Sequence, residues 1–260
     1  MKQNAERPPN LRRAYFESRF GQLHCRTAFP STGGFDELTP LVVLHDAPGS
    51  GAALIRLLPL LGRDRSVYIP DLPGCGHSDP PAQAIGIGDY AIAVGEMLRG
   101  LRLREIDVLG VGVGAAVAVE LALWFGAGLR RVVLAQLPSG APAPPILPQA
   151  DGSHLLTEWQ RGLPVPADEP AIARHSRAVG ERLAGGEAAQ WPVAALADWS
   201  LPAQLARLTV PMLVLEQPQA SPAAKSLPAS ARIDSFQGAG LFGESDAERS
   251  VRSLREFLDA

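Results

Sequence analysis

Ionisable side chains stand in two turns, each of which follows an apolar run that is typical of a buried strand. His45 and Asp46 follow the first run, and Cys75 and His77 lie in a Pro/Gly-rich turn after the second. Asp46 either caps and braces its loop or acts as a general acid or base whose pKa an apolar pocket raises. His77 likewise is either structural or an acid/base group. Cys75 is a weak candidate nucleophile, because no histidine is evidently paired with it.

The cysteine and histidine pattern speaks against a metal or a disulfide scaffold. Cys25 and Cys75 are the only cysteines, so we interpret them as free thiols. No pair of the five histidines has the spacing of metal ligands on a helix. His24 falls in an early edge strand and is expected to be structural. We therefore predict no metal site and no cofactor.

Apolar runs rich in Val, Ile and Leu alternate with helix-like segments along most of the chain. This alternation predicts an α/β fold with a mostly parallel sheet that helices cover on both faces. Residues 13–27 alternate in polarity and turn at Gly21, which predicts an antiparallel hairpin at the sheet edge. A capping box at 245–248 predicts a last helix that ends near Leu258. The parallel strands are predicted at 40–45, 65–70, 105–110, 130–135, 210–215 and 231–236.

One segment interrupts this alternation. Residues 138–199 begin Pro- and Ala-rich and continue with helical pieces around 154–161, 169–183 and 187–197. We interpret them as a helical lid over the carboxyl edge of the sheet, where ligands of open α/β sheets bind. His154 and Trp159 in this segment face either a ligand or solvent. The core is then formed by residues 1–137 and 200–260.

Five short patterns resemble, in order, those of the α/β-hydrolase superfamily. Residues 44–50 (Leu-His-Asp-Ala-Pro-Gly-Ser) are similar to its oxyanion loop, and 71–78 (Asp-Leu-Pro-Gly-Cys-Gly-His-Ser) to its Asp-x-Pro-Gly turn. Residues 110–114 (Gly-Val-Gly-Val-Gly) stand where the family has its nucleophile elbow. Residues 211–215 and 238–240 resemble the approaches to the catalytic acid and histidine. The resemblance implies a twisted, mostly parallel sheet with helices on both faces and a small helical lid.

The chemistry of that family requires a serine, a histidine that takes its proton and a carboxylate that orients the histidine. The corresponding positions are Gly112, Leu241 and Ala220, none of which can titrate. Glu216 offers a carboxylate nearby, but without a base it has nothing to orient. The resemblance thus implies a degenerate member that lacks the triad.

The resemblance also places an oxyanion hole, because that hole is built from backbone N–H groups. Its donors would be Ala47 and Val113, with His45 packed behind the loop. Asp46 stands where the family has glycine, and its carboxylate disfavours bound anions unless it points away. The ligand-contacting residues expected on this basis are Asp46, Ala47, Gly112, Val113, Leu241, His154 and Trp159.

Composition limits the partners. A net charge of −3 and a pI near 6.0 give no electrostatic reason to expect nucleic acid or an anionic membrane. No apolar signal core follows Met1, which predicts a cytoplasmic location. The expected partner is a small apolar or carbonyl-containing molecule, with a protein partner or a homo-oligomer also possible.

Three functions remain open from the sequence. The first is a pseudo-hydrolase that binds a small molecule or a protein partner without hydrolysis. The second is a non-hydrolytic enzyme, such as a lyase, cyclase or isomerase, that uses the oxyanion hole with Asp46 or His77. The third is a hydrolase whose nucleophile has moved elsewhere. Fold alone does not choose among them.

Overall fold

Eight strands form one sheet in the computed structural model, which describes residues 7–31, 38–138, 144, 146–161, 168–216, 227–235 and 247–260. Their order across the sheet is β1-β2-β4-β3-β5-β6-β7-β8. The first two pairings, β1 with β2 and β2 with β4, are antiparallel, and the remaining pairings are parallel. The strands are β1 Asn10–Ser18, β2 Gly21–Phe29, β3 Leu38–Leu44, β4 Arg65–Pro70, β5 Ile106–Val111, β6 Leu129–Ala135, β7 Met212–Glu216 and β8 Arg232–Ser235.

The predicted α/β fold with a mostly parallel sheet is therefore confirmed, as is the antiparallel hairpin at one edge. Strand β1 is the edge strand, whereas β2, which carries His24, lies inside the sheet. Strand β8 closes the other edge and is largely exposed.

Both faces of the central strands are buried. Successive side chains of a strand point to opposite faces, and Val108 of β5 joins one apolar cluster while its neighbour Leu109 joins the other. The larger cluster includes residues of α2 (Ile87–Gly100) and α3 (Val113–Phe125). The smaller one includes residues of α1 (Leu57–Leu61) and α8 (Ala247–Leu258). Because of this double cover, β4 and β5 are buried along their whole length, and β6 is buried except at Arg130 and Arg131.

The segment between β6 and β7 is helical where the structure describes it. Its helices are α4 Ser153–Gln160, α5 Glu169–Ala184, α6 Trp191–Ala194 and α7 Leu201–Leu205. The assignment of residues 138–199 as a lid stays a prediction. Among the described residues, no helix combines the length and the apolar character that a membrane crossing requires.

Helix α3 packs very closely on β5 and β3, and two glycines make this possible. A β-carbon on Gly110 would stand 2.2 Å from the carbonyl oxygen of Gly114, and one on Gly114 would stand 2.4 Å from that of Leu44. Neither position accepts a side chain without separating these backbones. The close packing brings the amino terminus of α3 against the end of β3, where Asp46 follows.

Asp71, at the end of β4, holds the neighbouring loops together. Its buried Oδ1 accepts hydrogen bonds from the Gly51 N–H (2.8 Å) and the Arg26 guanidinium (3.1 Å). Its Oδ2 lies 2.8 Å from His24 Nδ1 and accepts a bond from the His77 N–H (3.1 Å). These contacts fix both the loop after β3 and the Asp71 turn.

The same contacts keep Asp71 ionised. Burial alone would raise its pKa, but the hydrogen bond from His24 and the charge of Arg26 outweigh it and lower the pKa to about 2. Because this pKa lies below the ordinary value of 3.8, the resulting stability is present above about pH 4 and is lost as the pH falls toward 2.

We predict that Asp71→Asn lowers the free energy of unfolding by about 3 kcal/mol at pH 7, because it leaves the buried Arg26 without its carboxylate. The variant should also lose part of the decline in stability between pH 4 and pH 2. Urea unfolding at several pH values measures both effects, with Asp198→Asn, at an exposed position, as the control. Equal stabilities of variant and wild type at pH 7 would contradict this account of Asp71.

Candidate ligand site at the Asp46 loop

The turn between β5 and α3 has the backbone geometry of a sharp strand-to-helix elbow. Gly112 in this turn has φ 58° and ψ −122°, a conformation that residues with a β-carbon adopt only with strain. Val113 follows as the first residue of α3, so its N–H is free of helical hydrogen bonds and points out of the helix terminus. The turn therefore presents a backbone donor at the carboxyl edge of the sheet.

The carboxylate of Asp46 already occupies this donor and a second one. Its Oδ1 accepts hydrogen bonds from the N–H of Val113 (2.8 Å) and from the N–H of Ala47 (2.9 Å). These are the two groups that the sequence predicts as the oxyanion hole. The structure brings them together as expected, but the side chain between them points into the pair rather than away from it.

Asp46 also fills the space that a side chain at position 112 would need. A β-carbon built on Gly112 would stand 2.1 Å from Asp46 Oδ1, 2.2 Å from its Cγ and 2.6 Å from its Oδ2. Atoms that are not bonded do not approach so closely. Gly112 and Asp46 are thus complementary: one lacks a side chain where the other places its carboxylate.

Two opposing effects act on the charge of Asp46. Solvent reaches this exposed residue, yet the protein that surrounds its carboxylate removes much of its hydration and raises its pKa above 3.8. The N–H groups of Val113 and Ala47 oppose the rise, because they bind the ionised form better. The loss of hydration is the larger effect, so the pKa of Asp46 lies above its ordinary value.

His45 packs behind the loop, as predicted. Its ring is fully buried, Nε2 accepts a hydrogen bond from the Leu72 N–H (2.9 Å), and Nδ1 lies 2.9 Å from the carbonyl oxygen of Asp46. We infer that Nδ1 carries the proton, because Nε2 is the acceptor. Burial lowers the pKa of His45, which keeps the ring neutral. Its contacts position the backbone on which Asp46 is carried.

His77 belongs to the Asp71 cluster. Its side chain is 56% exposed, its Nδ1 lies 3.8 Å from Asp71 Oδ2, and its ring centroid lies 5.0 Å from that of His24. No contact among the described residues links it to Asp46. Its role as an acid or base stays a prediction.

One arrangement at this cluster was missed by sequence reasoning. Ligand atoms of His24, Asp71 and His77 lie within 4.8 Å of one another, which is compatible with a metal ion. Arg26, however, already supplies a positive charge to Asp71, and backbone N–H groups bond both carboxylate oxygens. We therefore interpret the cluster as a structural ion-pair network. Its members are distant in sequence, so spacing could not reveal it.

Cys75 is not placed for nucleophilic chemistry. Its side chain is fully buried, and burial raises the pKa of the thiol, so the reactive thiolate is disfavoured.

Helix α5 contacts the site loop through Glu181. The Ser50 hydroxyl donates a hydrogen bond to the Glu181 carboxylate and accepts one from the Ala52 N–H (3.2 Å). Ser50 is buried and lies four residues after Asp46. Sequence reasoning did not single out Glu181, since nothing in the helical pattern of α5 shows which residue reaches the core.

The two residues that the sequence placed in the lid lie on α4. His154 Nδ1 accepts a hydrogen bond from the Gln149 N–H (3.0 Å), and the Trp159 ring lies edge-on to His175 with 4.7 Å between centroids. Their role as ligand contacts stays a prediction. Ala220 and Leu241 lie outside the described residues.

Comparison with known proteins agrees with the fold. The family model described as the alpha/beta hydrolase family matches residues 41–252, most of the chain. The chain belongs to this family. The fold of this hydrolase-family chain also matches that of a hydrolase from Pseudomonas aeruginosa PA01, with a TM-score of 0.78 over 95% of this chain and 98% of that one, at 21% identity.

The curated relatives of this hydrolase-family chain align over a shorter stretch. A proline iminopeptidase from Heyndrickxia coagulans is 30% identical over 106 residues, which are 40% of this chain and 37% of that protein. A 2-hydroxymuconate semialdehyde hydrolase from Pseudomonas sp. (strain CF600) is 37% identical over 100 residues, which are 36% of this chain and 35% of that protein. The chain thus aligns with little more than a third of the length of each.

We predict that Gly112→Ser and Asp46→Ala are energetically coupled. In the wild-type background, serine at 112 introduces backbone strain of about 1–3 kcal/mol and also displaces the Asp46 carboxylate from its two donors. In the Asp46→Ala background only the strain remains. Urea unfolding of the four proteins should give a coupling energy of about 1–3 kcal/mol.

One further result is expected if this prediction is right, and another would contradict it. Asp46→Asn retains an acceptor oxygen for both N–H groups, so its stability should stay within about 1 kcal/mol of the wild type. Additivity of Gly112→Ser and Asp46→Ala to within about 0.5 kcal/mol would show that the two sites do not touch.

Proposed function

We propose that this chain is a hydrolase-fold protein that does not hydrolyse esters and that binds a small molecule at the turn formed by Asp46 and Gly112. The observation that carries this proposal is the double hydrogen bond from Ala47 and Val113 to Asp46 Oδ1. These two N–H groups are the ones that would have to stabilise the oxyanion in acyl transfer.

Ester hydrolysis passes through a tetrahedral intermediate whose oxyanion requires free, preorganised donors. An oxyanion here would compete with a carboxylate for the same two N–H groups. Two unit charges about 4 Å apart near a protein surface repel by about 4 kcal/mol. One oxyanion donor contributes about 3 kcal/mol, so the repulsion outweighs the contribution of one of the two donors.

The other requirements of the reaction also find little support. Gly112 has no side chain, and Asp46 fills the space that a side chain at this position would occupy. The resemblance places Leu241 at the position of the base and Ala220 at that of the acid. Although its relatives include proteins named as hydrolases, they align over a short part of the chain. These observations together favour binding without hydrolysis.

A second candidate is a non-hydrolytic enzyme in which Asp46 acts as a general acid or base. The specific observation in its favour is that Oδ1 is fixed by two donors while no described residue donates a hydrogen bond to Oδ2. A fixed carboxylate whose pKa is raised by lost hydration is suited to proton transfer. This function would use the same ligand site.

We predict that the purified protein hydrolyses p-nitrophenyl acetate and p-nitrophenyl butyrate no faster than a heat-killed control. Gly112→Ser should remain equally inactive, because Leu241 stands where the resemblance places the base and cannot take the proton of the introduced serine. Intact mass measured during incubation checks for an acyl adduct. Turnover well above the control, or an adduct that peptide mapping places on one residue, would contradict the proposal and identify a relocated nucleophile.

A further inference from the structure

Strand β1 forms a long free edge of the sheet. It runs for nine residues, Asn10–Ser18, and pairs with β2 without a register shift. It contains no proline and no bulge, two features with which proteins commonly prevent an edge strand from pairing with another chain. Within the described part of the chain, β2 is its one neighbour in the sheet. The outer side of β1 is therefore a template for a further strand.

The backbone groups of every second residue of β1 point away from the sheet. In β2, the carbonyl oxygen of His24 accepts a hydrogen bond from the Asp71 N–H on the β4 side (2.8 Å). Tyr15 lies directly opposite His24, so its own N–H and C=O point away from β2. The same direction recurs two residues before and after it. Arg13, Tyr15 and Glu17 thus offer their backbone groups to a further strand.

The side chains of these residues lie on the uncovered face of β1. Helix α2 packs against the strand, and Phe16, which points to the opposite face, packs on the larger apolar cluster to which α2 contributes. On the uncovered face, Leu11 is 51% and Tyr15 is 53% exposed. Arg13 and Glu17 are exposed as well. The strand is held from behind by a helix and is open in front.

Two opposite charges on this face lack a partner of opposite sign. Arg13 forms no ion pair with any described residue, and the residue opposite it in β2 is a second arginine, Arg26. Glu17 accepts a hydrogen bond from Gln22 Nε2 (3.0 Å), which is a neutral donor. Arg13 and Glu17 stand about 13 Å apart along the strand, so they do not reach each other.

We propose that two copies of this chain dimerise through β1, antiparallel about a two-fold axis at Tyr15. Tyr15 then faces its own copy, and Arg13 faces Glu17 twice by symmetry. All these residues form hydrogen-bonded pairs, as their backbone directions require, with Cα atoms about 5.5 Å apart. The adjacent registers place Arg13 opposite itself or opposite Tyr15 and gain no ion pair. This self-complementarity favours a second copy over an unrelated strand and goes beyond the proposed binding function.

Sedimentation velocity at loading concentrations from about 1 to about 300 μM measures the association, because one strand pair is a small interface of micromolar affinity. The mass should rise from the monomer value of 27.5 kDa toward twice that value. Arg13→Glu and Glu17→Arg should each weaken the dimer at least about tenfold, since symmetry creates two like-charge pairs. Arg12→Glu, which makes the same charge change on the opposite face, should weaken it less than about twofold.

A charge exchange tests the register. An equimolar mixture of Arg13→Glu and Glu17→Arg should form a heterodimer, because one copy then carries acids at both positions and the other carries bases. The double variant Arg13→Glu/Glu17→Arg should dimerise by itself. These recoveries also show that the single variants are folded. A wild type that is monomeric at every concentration, a dimer that neither single variant weakens, or a failure of both recoveries would overturn the proposal.

Amide hydrogen exchange tests the strand pairing directly. The N–H groups of Arg13, Tyr15 and Glu17 should become protected as the protein concentration rises, whereas those of Ala14 and Phe16 already bond to β2 and should not change. Protection that leaves β1 unaffected would place the dimer elsewhere and overturn the proposal. None of these outcomes depends on the ester assay, so the proposed function and this inference stand or fall separately.

Discussion

The backbone N–H groups of Ala47 and Val113 both point at a single acceptor atom. The arrangement of the rest of the site depends on the group that provides this acceptor. Such groups cannot be left without an acceptor where water is scarce. Here the acceptor is the Asp46 carboxylate, one residue before the first donor. Because the acceptor belongs to the loop itself, both donors have a hydrogen-bond partner without any ligand.

This interaction links several features that otherwise look unrelated. The carboxylate requires space, and Gly112 supplies it by having no side chain. It requires a rigid loop, and the neutral, buried ring of His45 holds the carbonyl of Asp46 from behind. The position of α3 is set by its close packing on β5 at Gly110 and Gly114. The fold of the alpha/beta hydrolase family is retained, while a carboxylate of the chain itself occupies the two N–H groups that the resemblance assigns to the oxyanion hole.

Much of the sheet could be predicted from the sequence, because burial on both faces leaves a plain apolar signal. Strand β4 was predicted with both ends correct, and β3, β5 and β6 within about two residues. The exposed strand β8 was also predicted, at 231–236 against the observed Arg232–Ser235, whereas α7, which is only five residues long, was not predicted. The capping box lies partly outside the described residues, but the last helix ends at Leu258 as expected.

The site was predictable in its parts and not in its arrangement. Sequence patterns identified Ala47 and Val113 as donors and Asp46 as an unusual neighbour. The direction in which Asp46 points depends on backbone dihedral angles, which no spacing rule provides. The contact between Glu181 and Ser50 joins residues 131 positions apart, and the Asp71 cluster likewise joins distant residues. Only the folded chain shows such pairs.

The measurement that tests the central claim most directly is an NMR titration of the Ala47 and Val113 amide protons with pH. If Asp46 Oδ1 accepts both hydrogen bonds, the two resonances should move downfield together as the pH rises. They should follow one apparent pKa that lies above 3.8, and Asp46→Asn should abolish both movements. Amide resonances that stay fixed, or that titrate with different midpoints, would show that the carboxylate does not occupy the pair of donors.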